Sequence, residues 1–255
     1  MSSKQRFFIE LAYDGTNYHG WQMQPNAVGV QEVLNKALST VLRQPIETLG
    51  CGRTDTGVHA KEFFAHFDVE TIDHGPWTMD DSGVLRSLNS ILPQDIAIKK
   101  IIPVAADAHA RFDATSRSYE YHIHFNKDPF KNGYSWLLRD EPDLELMNQA
   151  AKLIMEYIDF SCFCKSNTQT HTNNCKISNA VWERTDGGIV FKISADRFLR
   201  NMVRAIVGTL LMIGNKEIPV EAIHDIIQSK NRSNAGTSVP ACGLYLTEVK
   251  YPFLG

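Results

Sequence analysis

The sequence predicts an α+β protein made of two similar halves, each a mostly antiparallel sheet with helices on one face. Three observations carry this reading. Strands show strict alternation, as in Arg6 to Tyr13, where Phe7, Ile9, Leu11 and Tyr13 share a side. Helices show apolar residues three and four apart, as in Val30, Val33, Leu34, Ala37, Leu38, Val41 and Leu42. The N-terminal half orders these elements as strand, helix, strand, strand, helix, strand, which is the split βαβ or ferredoxin-like unit.

The first strand, Arg6 to Tyr13, stops at the turn Asp14-Gly15, and a polar loop follows with Tyr18, His19 and Trp21 expected at the surface. The first helix ends before Pro45, which serves as its stop. A glycine-rich loop at residues 50–60 lies between two hydrophobic strands, the second being Phe63 to Val69. Val84, Leu85, Leu88, Ile91 and Leu92 mark a second helix, closed by Pro93, before the strand Ile96 to Ile102. The second half has an alternating strand from Ser118 to Phe125 and a helix from Leu144 to Ile158. A hairpin then pairs Cys175 to Thr185 with Ile189 to Ser194 across Asp186-Gly187-Gly188. Helices follow at Asn201 to Ile213 and at Pro219 to Gln228, with proline suited to a first turn, and the last strand is Leu244 to Lys250. The expected halves are residues 1–105 and 106–255. Their sheets can join into one platform with helices behind it and one broad face open.

A chain of 255 residues, 43% of them apolar, can bury a sizeable core. A net charge of -3 excludes a protein that coats nucleic acid through overall basic character, so a polyanion must be held by a local basic surface. The N-terminus runs straight into a strand pattern without an apolar signal core, and the longest apolar run, Ala205 to Ile213, is broken by Gly208 and Thr209. A cytoplasmic protein is expected. Five cysteines, an odd number, indicate reduced thiols. Cys162, Cys164, His171 and Cys175 can supply four zinc ligands, yet they lack a Cys-x2-Cys knuckle, and Cys-x-Cys within residues 160–164 also reads as a strand.

Residues 50–60, Gly-Cys-Gly-Arg-Thr-Asp-Thr-Gly-Val-His-Ala, frame Arg53 and Asp55 with Gly50, Gly52 and Gly57, which permit positive φ and close approach. Asp55 is a candidate catalytic carboxylate; an Asx-turn with a surface ion pair is the competing reading. Arg197, Arg200 and Arg204 fall three and four apart and would share a helical face. A solvated basic face explains them equally, but Met202, Val203, Ile206, Val207, Leu210 and Leu211 make this helix apolar around most of its circumference. An arginine buried there needs a partner, for which Asp55 is the candidate. Arg111, Arg117, Tyr119 and Tyr121 surround the start of a strand; the tyrosines share its face, where either packs in the sheet or stacks on a base. An open sheet face with basic and aromatic groups is an RNA surface. His-Glu-x-x-His, Walker, Rossmann and Gly-x-Ser-x-Gly motifs do not occur, so metalloprotease, NTPase, dehydrogenase and esterase readings have no anchor.

Six blocks taken in order resemble the TruA-type tRNA pseudouridine synthases: Tyr13-Asp14-Gly15; Gly20-Trp21-Gln22; Gly52 to Ala60; Ala110 to Tyr121; Phe198 to Gly208; and Pro240 to Leu246. They extend from end to end of the chain. The resemblance implies two ferredoxin-like halves sharing a sheet, with helices on one face and an RNA-binding cleft on the other. It implies a catalytic aspartate at Asp55, a tyrosine against the target base at Tyr119 and an arginine paired with the aspartate at Arg204. Arg53 matches the arginine that takes the place of the displaced nucleotide. The further substrate-binding candidates are Arg111, Arg117, Arg197, Arg200 and Lys165, with Leu244 in the last block. The resemblance also implies a homodimer, no organic cofactor, no catalytic metal, and uridines 38, 39 and 40 of tRNA as targets. The chain departs from the family pattern between Cys162 and Cys175, which lacks a Ser-Pro-x-Arg element, and between Thr71 and Asp81. Both bear on how widely the enzyme ranges over neighbouring uridines.

Overall fold

A computed structural model describes residues 3–71, 81–164 and 172–254. The chain divides into two compact units, residues 1–114 with 247–255, and residues 115–246. It is a mixed α/β fold, and its strand pairings are almost all antiparallel.

The first unit contains β1 (Ser3–Tyr13), α1 (Val30–Leu42), β2 (Leu49–Gly50), β3 (His59–Thr71), α2 (Asp81–Ile91) and β4 (Ile96–Val104). Strand β1 is central, antiparallel to β3 with Ile9 opposite Ala65, and antiparallel to β4 with Ile9 opposite Ile101. Helix α1 exists because its apolar stripe is continuous: Val30, Leu34, Ala37, Leu38 and Leu42 are all buried. It ends at Arg43 in the left-handed region, two residues before Pro45. Asn89 of α2 grips the β4 backbone, donating to the Ile98 carbonyl at 2.9 Å and accepting its N–H at 2.7 Å.

Alternation along β1 is complete, yet both of its faces are buried. Phe7, Ile9 and Leu11 line one; Phe8 and Glu10 line the other. The face expected to lie open is therefore covered in this unit. Phe8 packs edge-on to Tyr251 and Phe253, and Phe64 edge-on to Tyr251. The Tyr251 hydroxyl donates to the Ala110 carbonyl at 2.6 Å, and Ala110 N–H donates to His66 Nδ1 at 3.1 Å. Arg6, held by both oxygens of Asp68, reaches the Ala108 carbonyl. These bonds fasten the segment after β4 across the sheet.

The second unit contains β5 (Ser116–His124), β6 (Trp136–Leu137), α3 (Leu144–Ile154), β7 (Ile177–Thr185), β8 (Gly188–Ala195), α4 (Met202–Gly214) and α5 (Ala222–Gln228). Strand β8 lies between β5 and β7, antiparallel to both, and β6 adds a short parallel pairing to β5. The last strand, β9 (Leu244–Lys250), begins in this unit and ends in the first. Helix α3 starts where the Asp143 carboxylate accepts the Glu145 and Leu146 N–H groups. It stops at Ile154 rather than Ile158, because Met155 to Tyr157 close as tight turns onto Lys152, Leu153 and Ile154. The strand reading of residues 160–164 is also corrected: Ser161–Phe163 is a 3-10 turn, nucleated by Asp159 accepting the Ser161 N–H and hydroxyl.

Candidate functional site

The loop carrying Asp55 is shaped by backbone contacts within the first unit. Val58 N–H donates to the Asp55 carbonyl at 3.1 Å, and Gly57 between them has φ +76°, the third position of a type II turn. Of the three glycines expected to need special conformations, Gly57 alone has positive φ. Gly50 is required by close approach instead, since a Cβ there would sit 2.6 Å from the Trp21 indole nitrogen, and Gly52 faces open space. A second loop clamps the first. Gly20, at φ +87°, passes so close that a Cβ would lie 2.3 Å from the Thr54 carbonyl. Trp21 N–H donates to that carbonyl, Gly57 N–H donates to the Tyr18 carbonyl, and Thr54 Oγ1 meets the Tyr13 hydroxyl at 2.9 Å. Gly15 N–H donates to His59 Nδ1 at 3.1 Å.

Tyr18 and Trp21 are buried rather than exposed. Trp21 stacks on Phe63 with ring centroids 4.1 Å apart, and Tyr18 donates its hydroxyl to Asp95 at 2.6 Å; burial first, and then this bond, push its ionisation upward. Thr54 is buried, Asp55 is half-buried and Arg53 is exposed. The result is a carboxylate whose main chain is fixed on both sides while its side chain stands at a partly open surface. Such fixation suits a group that must meet a reacting atom in one orientation. The Tyr13, Gly20 and Trp21 supports were visible as sequence blocks, but their contact with Thr54 had no local signal.

The remaining candidates of the second unit fall into separate places. Tyr119, half-buried on β5, meets Phe198 edge-on at 5.1 Å. Tyr121, two residues on, is fully buried and donates to the Pro240 carbonyl at 2.8 Å, so the two tyrosines take different roles despite equal parity. Arg204 lies on α4, half-buried; its Nε donates to the Val239 carbonyl at 2.7 Å, and its own carbonyl accepts the Val239 N–H. The segment around Val239 is pressed on the helix, since a Cβ at Gly208 would lie 1.9 Å from the Thr237 carbonyl.

Arg197, Arg200 and Arg204 do not share a helical face. Helix α4 begins at Met202, and Asn201 at φ +66° separates it from the chain before it. Asparagine tolerates that conformation, which is why the spacing misled. Arg197 instead sits beside Asp196, whose carboxylate accepts its N–H, and Arg117 donates to the Asp196 carbonyl at 2.8 Å. Arg200 is exposed, and Leu244 is buried at the start of β9. Arg111, in the first unit, is exposed with its guanidinium 5.7 Å from the Phe112 ring. Lys165 and His171 lie outside the described residues. Among the described residues no group of three His, Cys, Asp or Glu side chains is placed to hold a metal.

Residues 11–113 and 155–252 match the family model described as tRNA pseudouridine synthase. The chain belongs to that family. It is 51% identical over 251 residues to a tRNA pseudouridine synthase A of Bacteroides thetaiotaomicron, covering 97% of this chain and 91% of the relative. It is 50% identical to one from Bacteroides fragilis, with 98% of each covered, and 37% identical to one from Limosilactobacillus reuteri, with 96% of each covered. The family is one of isomerases. Among the described residues no helix is long and apolar enough to cross a membrane.

Proposed function

We propose that this protein converts uridine to pseudouridine at positions 38, 39 and 40 of the tRNA anticodon stem and loop, with Asp55 as the catalytic carboxylate. The observation that supports it is the doubly clamped turn holding the Asp55 backbone. The reaction breaks the bond from uracil N1 to C1′, turns the base, joins C5 to C1′ and releases the C5 proton. Asp55 must be ionised to act, whether it attacks C1′, attacks C6 or removes a sugar proton. Arg204, anchored through Val239, is assigned as the partner of the Asp55 carboxylate. Tyr119 lies against the target base, its ring already braced edge-on by Phe198. A paired uridine is extruded at a cost of about a few kcal/mol, and Arg53, exposed on the Asp55 loop, fills the vacancy.

Arg111, Arg117, Arg197, Arg200, Lys165 and Leu244 complete the proposed binding residues, and recognition through phosphates makes affinity fall as salt rises. We also assign the protein a cytoplasmic setting and a homodimeric state. Tritium release from tRNA carrying 5-tritiated uridine is the test. Asp55→Asn should reduce release to background while tRNA binding persists, and wild-type release in this variant refutes the assignment.

A further inference from the structure

We propose that Arg232 is a positioning residue for Arg204, an inference that rests on the function proposed above. Arg232 is a half-buried cation in a tRNA pseudouridine synthase, which alone would suggest a phosphate contact. Its bonds run elsewhere. Nη1 donates to the Ala235 carbonyl at 3.2 Å and Nη2 to the Ser238 hydroxyl at 2.9 Å, so the guanidinium fork spans the chain that follows the 3-10 turn Arg232–Asn234. Ser238 Oγ also accepts from Asn201 Nδ2 at 2.5 Å. Glycine would adopt the left-handed conformation of Asn201 without strain, but asparagine also brings an amide donor to that hydroxyl.

The Ser238 hydroxyl therefore joins Arg232 to the residue from which α4 starts, just ahead of Arg204 in the chain. The next residue, Val239, accepts the Arg204 Nε–H at 2.7 Å and donates its own N–H to the Arg204 carbonyl at 3.3 Å. Fixed points lie on either side of this pair. Gly236 N–H donates to Thr209 Oγ1 at 2.8 Å, and the Pro240 carbonyl takes the Tyr121 hydroxyl at 2.8 Å. A guanidinium is planar, so a bond at Nε constrains the plane in which Arg204 presents its other N–H groups. Arg232 acts through Ser238 and Val239: without its fork the Val239 carbonyl is freer to turn, and Arg204 with it.

The test uses the full chain and tRNA carrying 5-tritiated uridine, with single-turnover release at saturating enzyme measured apart from tRNA affinity, at temperatures where each variant is folded. Arg232→Gln, Arg232→Lys and Ser238→Ala should each slow release about thirtyfold and leave affinity and its salt dependence as in wild type. The double variant Arg232→Gln with Ser238→Ala should be no slower than the worse single, because both remove one link. A loss under about fivefold in Arg232→Gln overturns the proposal, since a purely structural role lowers stability and not the rate of folded enzyme. Full recovery with lysine also overturns it, because charge alone would then suffice. So does weaker binding with a salt slope lowered by about one, the mark of a phosphate contact. Losses that multiply in the double variant overturn it too. Should Arg232→Gln fail to fold, Ser238→Ala, which removes a single oxygen, decides by the same limits. Wild type that releases no tritium refutes the functional reading itself. Hydrogen exchange at the Val239 amide then still tests the link: it should quicken in Arg232→Gln, and unchanged exchange overturns the proposal.

Discussion

His66 should make the protein lose stability between pH 6.5 and about 4. It is 7% exposed on β3, and its pKa is held down to about 4, first by burial and then by the positive charge of Arg6 and by His109; Asp68 and Asp113 oppose this more weakly. Its Nδ1 accepts the Ala110 N–H, which only the neutral ring can do. The unfolded state binds a proton at the ordinary value of 6.5 and the folded state does not, so stability is whole above 6.5 and falls as pH drops, levelling near 4. At about 1.36 kcal/mol per pH unit, that interval corresponds to about 3 kcal/mol. Asparagine carries an acceptor near the position of Nδ1 but does not titrate. Urea denaturation of wild type and His66→Asn from pH 7.5 to 4 should therefore give curves of stability against pH that converge or cross as the wild type declines faster. Parallel curves would refute the reasoning. Hydrogen exchange at the Ala110 amide locates the effect, because acid should speed it more in wild type than in the variant.

Two further outcomes follow from backbone proximity and from buried sulfur. Gly20→Ala forces a Cβ toward the Thr54 carbonyl at positive φ, and should destabilise by about 2 to 4 kcal/mol and reduce tritium release about a hundredfold at temperatures where the variant remains folded. A thiol assay on native protein should show no rapid reaction at Cys51, Cys162, Cys164 and Cys175, which are buried, with all five thiols reacting in denaturant. Burial pushes Cys162 and Cys175 up to about 12, so raising the pH to 9 should not expose them to reagent.

Elements with local determinants were legible. The stripe of α1 and its proline stop gave both ends of the helix, and the last strand, β9, has the expected bounds Leu244–Lys250. Features set by distant partners were not. Trp21 sits in a polar stretch and is buried only because Phe63 and Gly50 meet it from other elements. The arginine series looked helical because spacing takes no account of Asn201, one left-handed residue that resets the phase. For the candidate site, the Asp55 loop was conspicuous through its glycines, whereas the clamp on Thr54 and the Val239 anchor of Arg204 are tertiary bonds without a sequence signature.

The return of residues 247–255 to the first unit orders events during synthesis. Most of that unit leaves the ribosome early, yet Tyr251, which covers Phe8 and Phe64 and bonds to Ala110, is made only after residues 115–246. Val249, whose N–H completes a bond to Glu62, also follows the second unit. Until then two phenylalanines stay uncovered, on strands that can pair wrongly or attract a chaperone. A nascent chain stalled before Thr247 would carry a nearly whole but unsealed first unit, so the cover over Phe8 and Phe64 reports that residues 115–246 have already been made.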